Sequence, residues 1–140
     1  MDSRENPGDH GLIRSDFPGG WAADTTSAFT GKGLSDEQSS AQAWLKKLLN
    51  WRKSSDVIHH GKLMQFAPND QAYVYFRYTE TGKVMVVLNK NEDSVTLPMM
   101  VFDEMLKGEA SLTDILTGER SAIGETLVVE GKRAYIFEVR

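Results

Sequence analysis

From Lys62 to Arg140 the sequence never sustains an apolar pattern for long. Runs rich in β-branched and aromatic residues are cut every few positions by Gly, Asn, Asp or Pro, and such runs specify short strands joined by tight turns. Leu63–Ala67 is stopped by Pro68-Asn69-Asp70. Ala72–Thr79 alternates, with Tyr73, Tyr75 and Arg77 on one face and Val74, Phe76 and Tyr78 on the other. After the turn Glu80-Thr81-Gly82-Lys83, Val84–Leu88 is continuously apolar, which predicts a central strand covered on both faces. Further strands are expected at Ser94–Leu97, Leu112–Leu116, Ser121–Ile123, Glu125–Glu130 and Arg133–Val139, the last two as a hairpin around Gly131-Lys132. Between them, Phe102, Met105 and Leu106 share one helical face, and Gly108 follows as a stop, so Val101–Lys107 reads as a turn or two of helix. Seven or eight short strands with short connections make a small antiparallel Greek-key β-sandwich the expected fold. A sandwich of about 80 residues folds alone only marginally.

One long helix precedes the strands. Ser35 is a good N-cap, and Gln38 completes a capping-box pattern. Asp36 and Glu37 suit the positive end of the helix dipole, as Arg52 and Lys53 suit its negative end. Through Lys53, Ala41, Trp44, Leu45, Leu48, Leu49 and Trp51 form a wide apolar arc. Two tryptophans are too much apolar surface for a helix standing in water, so this helix needs a large packing partner. The connector to the strands holds His59 and His60, which are adjacent rather than at metal-ligand spacing. It reads as a polar connector with no metal site.

Residues 1–34 show neither periodicity. They carry Pro7, Pro18 and six glycines, yet also Leu12, Ile13, Phe17, Trp21 and Phe29. A stretch this long without a pattern is either disordered or a functional loop. Asp9, His10, Arg14, Asp16 and Trp21 are packed among its glycines. Carboxylates and arginine can hold sugar hydroxyls, and an indole can stack on a pyranose. The plainer reading is a turn-rich loop that Trp21 anchors to a core.

Composition narrows the function classes. A net charge of −4 and a pI near 5.4 argue against a nucleic-acid partner, and no apolar run suits a membrane span. Without cysteine there are no disulfides and no thiolate metal sites. No nucleophile elbow, phosphate-binding glycine loop or HExxH helix is present, and no cofactor is implied. Read alone, the chain is non-catalytic.

Arg14-Ser15-Asp16-Phe17-Pro18-Gly19-Gly20-Trp21, with Asp24 and Ala28-Phe29, resembles the segment after the eighth barrel strand of α-amylase-family glycoside hydrolases. The similarity is to neopullulanase and cyclomaltodextrinase types of gut and oral Bacteroidetes. Leu48-Leu49-Asn50-Trp51-Arg52-Lys53 through Val57-Ile58-His59-His60-Gly61-Lys62 resembles the last barrel helix and its exit. Asp114-Ile115-Leu116-Thr117-Gly118 resembles a strand-turn of the C-terminal β domain. The resemblance implies residues 1–34 as the loop after strand eight, disordered without its scaffold. It implies 35–60 as the last barrel helix and connector, and 61–140 as the C-terminal β-sandwich. The family's catalytic carboxylates would lie upstream, so no residue here inherits a catalytic role. Asp9 and Arg14 are the expected glucan contacts, with Asp16 and Trp21 as alternates. The implied partners are the chain's own upstream (β/α)8 barrel and an α-glucan oligosaccharide. The fragment is expected to be monomeric, with its tryptophan-bearing helix face left orphaned. An independent carbohydrate-binding module is the competing reading, and its candidate platforms are Tyr73, Tyr75, Tyr78 and Tyr135. The compartment stays open between periplasm and cytoplasm.

Overall fold

The computed structural model describes residues 17–68 and 72–140. The chain forms two compact units, with the boundary between Ala43 and Trp44. The first, as described, is a run of turns at 17–34 followed by the start of helix α1 (Asp36–Ser54). The capping box forms as the sequence specifies. Gln38 N–H donates to Ser35 Oγ at 3.2 Å, and the Gln38 side-chain oxygen accepts from Ser35 N–H at 2.9 Å.

The second unit holds the rest of α1, a short helix α2 (Asp56–His60) and eight strands. The strands are β1 (Lys62–Phe66), β2 (Tyr73–Tyr78), β3 (Lys83–Asn89), β4 (Val95–Pro98), β5 (Ser111–Asp114), β6 (Arg120–Ala122), β7 (Thr126–Val129) and β8 (Arg133–Val139). A 3-10 turn at Met99–Phe102 leads into α3 (Asp103–Leu106). The fold is mainly β, and among the described residues every pairing is antiparallel. Six strands form one sheet in the order β1-β2-β3-β8-β5-β6, and β4 pairs with β7 in a second. The chain crosses between sheets at β3–β4, β4–β5, β6–β7 and β7–β8, the over-and-back path of a Greek-key sandwich.

Strand alternation sends Val74, Phe76, Met85, Val87, Phe137 and Val139 to the inner face. There they meet Leu97 and Val129 from the small sheet and Met99, Phe102, Met105 and Leu106 from the turn and α3. Phe66, Phe76 and Phe102 close one end, with Phe66 edge-on to both partners at 5.7 and 5.0 Å. Val84 and Val86 are as buried as these residues but lie outside that cluster. They point the other way, so β3 is covered on both faces as its unbroken apolar run predicts. Helices supply the second cover. Arg77 and Glu138 share the Val84 row of the sheet. The Arg77 guanidinium donates to the Ile58 carbonyl in α2 at 3.1 Å, and the Trp51 indole N–H in α1 donates to Glu138 Oε1 at 2.9 Å.

Four features depart from the sequence expectation. The hairpin expected around Gly131-Lys132 does not form, because β7 pairs with β4 in the small sheet while β8 inserts between β3 and β5 in the large one. The polar connector contains α2, whose half-buried Val57 and Ile58 face the sheet side while its polar residues point to water. The strand expected over Leu112–Leu116 ends at Asp114. Its carboxylate takes the N–H groups of Leu116 and Thr117 at 2.7 and 3.3 Å and bends the chain, with Gly118 at φ +82° completing the turn. Residues 17–34, expected to be disordered or irregular, are irregular but hydrogen-bonded.

Two turns of the second unit are locked together. Asn89, at the end of β3, is only 3% exposed. Its amide donates to the carbonyls of Asp93, Val129 and Glu130 at 3.0, 3.2 and 3.0 Å, and its oxygen accepts from the backbone and side-chain N–H of Asn91 at 3.0 and 2.9 Å. Gly131 sits where a Cβ would run into the Glu92 carbonyl. Lys132 beside it adopts φ +52° and donates its N–H to the Asn91 carbonyl at 2.9 Å.

Candidate functional site

The loop at 17–34 is built from backbone bonds. One carboxylate oxygen of Asp24 accepts from the N–H of Gly19 at 2.7 Å and of Trp21 at 3.0 Å. The Asp24 N–H returns to the Trp21 carbonyl at 3.1 Å, closing a tight turn. Gly19, at φ +97°, lies against Ser27 with no room for a side chain. Ala28 N–H bonds the Pro18 carbonyl at 3.1 Å, and Ser27 N–H the Lys32 carbonyl at 2.8 Å. The Gln42 side chain ties the loop to the first turns of α1 through the Ala28 carbonyl at 2.6 Å. Phe17 and Phe29 meet edge-to-face at 5.3 Å.

This loop is ordered without burying its aromatics. Phe17, Trp21 and Phe29 are 64, 68 and 73% exposed. Trp21 therefore does not anchor the loop to a core, contrary to the plainer sequence reading. Asp9, Arg14 and Asp16 lie outside the described residues. Sequence reasoning passed over the structural part of Asp24. Its carboxylate reaches back to N–H groups three and five residues earlier, against the forward direction of the common Asx turn, so no local signal marked it.

The second candidate surface is α1 within the second unit. Leu48 and Trp51 are half-buried, whereas Trp44, Leu45 and Leu49 are 48, 48 and 49% exposed. Part of the apolar arc is thus engaged, and the Trp44 side is orphaned, as the width of the arc implied. A cluster of exposed large apolar residues on one helix is a feature of interaction surfaces.

The tyrosines divide by face. Tyr78 and Tyr135 pack against the core, and Tyr135 stacks on Phe137 at 5.7 Å. Tyr73 and Tyr75 lie on the helix-bearing face, tilted at 37° with ring centroids 5.6 Å apart. The Tyr73 hydroxyl donates to the Gln65 side chain at 2.6 Å. Burial, with a smaller push from Tyr73, raises the Tyr75 phenol pKa against the opposing pull of Arg77. His60 pairs with Asp56 at 2.8 Å on the exposed side of α2. Among the described residues no group of three His, Cys, Asp or Glu is placed to hold a metal, and no helix is long and apolar enough to cross a membrane.

Solved structures share this architecture at low sequence identity. An α-amylase from Geobacillus thermoleovorans, complexed with acarbose, superposes with a TM-score of 0.61 at 16% identity, over 78% of this chain and 24% of that one. An Anoxybacillus α-amylase gives 0.60 at 16%, over 77% and 24%. The trehalulose synthase MutB from Pseudomonas mesoacidophila MX-45 gives 0.57 at 15%, over 71% and 18%. The chain thus spans a quarter or less of the length of these enzymes. At such identities the likeness establishes the fold. The sequence itself carries the family: residues 63–138, more than half of the chain and nearly all of its β domain, match the cyclo-malto-dextrinase C-terminal domain, and the chain belongs to that family.

Proposed function

We propose that this chain is the C-terminal accessory domain of an α-glucan-hydrolysing enzyme, seated on an upstream (β/α)8 barrel and not catalytic by itself. The observation that carries the reading is the divided helix α1. Its Leu48–Trp51 side packs and its Trp44–Leu45–Leu49 side is left for another body. Fully burying one such side chain is worth about 1.5–3 kcal/mol, so covering the exposed halves of three contributes roughly 3 kcal/mol to docking. In this reading residues 1–34 follow the eighth barrel strand and border the cleft, where barrel enzymes place their sites. Asp9, Arg14, Asp16 and Trp21 are then the residues nearest substrate. The acid and nucleophile of a retaining α-1,4 glucan hydrolysis, two carboxyls about 5–5.5 Å apart, belong to the barrel. The substrate class is starch, maltodextrin, cyclodextrin or pullulan.

The test is association in trans. The upstream segment of the parent polypeptide and this chain, produced separately, are expected to co-elute and restore glucan hydrolysis. Trp44→Glu with Leu49→Glu should abolish association while destabilising this chain by no more than about 1.5–3 kcal/mol, the share of the half already buried at each of the two sites. Association that ignores the double variant overturns the reading. The tilted Tyr73–Tyr75 pair favours an independent carbohydrate-binding module as the second reading. That reading requires maltoheptaose to shift the amides of Tyr73 and Tyr75 in this chain alone.

A further inference from the structure

We propose that Asp24 is the positioning residue of a glucan-stacking platform whose contact surface is the Trp21 indole. The inference takes its ligand class from the α-glucan reading above, but not its geometry, and it is independent of the α1 docking face. One carboxylate oxygen gathers the N–H groups on both sides of Gly20, at Gly19 and Trp21, and the Asp24 N–H closes the same turn on the Trp21 carbonyl. Gly19 is wedged on Ser27 in a conformation that side-chain-bearing residues avoid. The second bond from this turn, Ala28 N–H to the Pro18 carbonyl, pins its base.

The turn therefore fixes the backbone from which the indole projects, and leaves the indole 68% exposed. Pre-organisation of this kind reduces the ordering cost of binding. A pyranose offers an apolar C–H face to the ring and hydroxyls at its rim. The Gly20 flank of the indole suits that rim, because Gly20 is exposed and without a side chain lets a ligand reach its main chain, whereas Gly19 is closed off by Ser27.

The experiment is an NMR titration of this chain with maltoheptaose, following the Trp21 indole N–H and the Gly19 and Trp21 amides. The expected result is a saturable shift of all three signals. Trp21→Ala should remove the response. Asp24→Ala should weaken it at least tenfold, and Asp24→Asn, which keeps an acceptor oxygen, should stay within about threefold of the native chain. The unfolding midpoint reports that the β domain of each variant is intact, and the Ser27 and Ala28 amides, bonded within the loop, report whether the loop itself keeps its fold. No shift of the Trp21 indole at saturating sugar, or equal binding by native and Asp24→Ala chains, overturns the proposal. So does a shift confined to Tyr73 and Tyr75, which would support the module reading. Loss of association with the barrel segment alongside an intact Trp21 response would refute the docking reading and leave the platform standing.

Discussion

Replacing Asn89 should be among the most damaging polar substitutions in the β domain. Its amide serves three carbonyls and two N–H groups across the two interlocked turns, from a site 3% exposed. Truncation to Ala removes all five contacts. Several of the abandoned groups sit at the domain edge and can recover water. The Val129 carbonyl contact is buried, and its loss incurs a desolvation penalty of about 1–3 kcal/mol. Adding about 0.5–1.5 kcal/mol for each of two or three contacts that water replaces poorly gives a loss of roughly 3 kcal/mol. For a domain of this size that lowers the melting temperature by about 12–24 °C. The sharper comparison is Asn89→Asp. It keeps the shape, but its oxygens would face three carbonyls where Nδ2 now donates. Asn89→Asp should be no more stable than Asn89→Ala at neutral pH, although it is the smaller steric change. Equilibrium urea unfolding, followed by tryptophan fluorescence and far-ultraviolet dichroism, measures both. A loss below 1 kcal/mol for the Ala variant, or an Asp variant clearly more stable than the Ala one, would refute the network argument.

Other expectations follow from single contacts. Asp114→Ala frees two turn N–H groups from a carboxylate 8% exposed, and should cost about 2 kcal/mol in chemical unfolding, with Asn recovering at least half. Lys132→Gly should stabilise by up to about 1 kcal/mol, because it relieves a left-handed conformation and gives up only a surface ion pair to Glu92; a destabilised variant would contradict this. Tyr75 has a folded pKa raised above 10.0, so the unfolded chain gives up this proton first. Its contribution is complete below about pH 10 and is lost as pH rises through the folded value. Tyr75→Phe should accordingly flatten the alkaline fall in unfolding free energy, and an unchanged slope would show that burial does not hold the phenol.

Much of this was legible in the residues. Alternation in β2, the unbroken run of β3 and the capping box of α1 each satisfy one local rule, and tertiary packing agrees with all three. Helix α2 was hidden because five residues are too few to show a helical period. The early end of β5 was hidden because Leu112–Leu116 looks apolar throughout apart from Thr113 and Asp114, and only the backbone bonds of Asp114 reveal the bend. Which side of α1 packs could not be read from its composition, since Trp44 and Trp51 are chemically alike. The indole bond from Trp51 to Glu138 decides it, and that bond joins residues far apart in the chain. On the loop, Trp21 was visible as a candidate, whereas Asp24 was visible only as part of the family-like motif, and its ordering role appears only in its backbone bonds.

Strand β8 lies between β3 and β5, so the larger sheet consists of two half-sheets, β1-β2-β3 and β5-β6, held together by one inserted strand. During synthesis both halves emerge before Arg133–Val139 and wait, each with an unpaired inner edge. Those edges are complementary to the same heptapeptide. A neighbouring nascent chain could supply it, which makes strand exchange the natural misassembly of this domain at high expression. The same vacancy offers a handle. In a chain truncated before Arg133 the two half-sheets lack their shared partner and the core lacks Phe137 and Val139, so a synthetic Arg133–Val139 peptide is expected to restore folding of the domain, turning its completion into an event that can be triggered and timed.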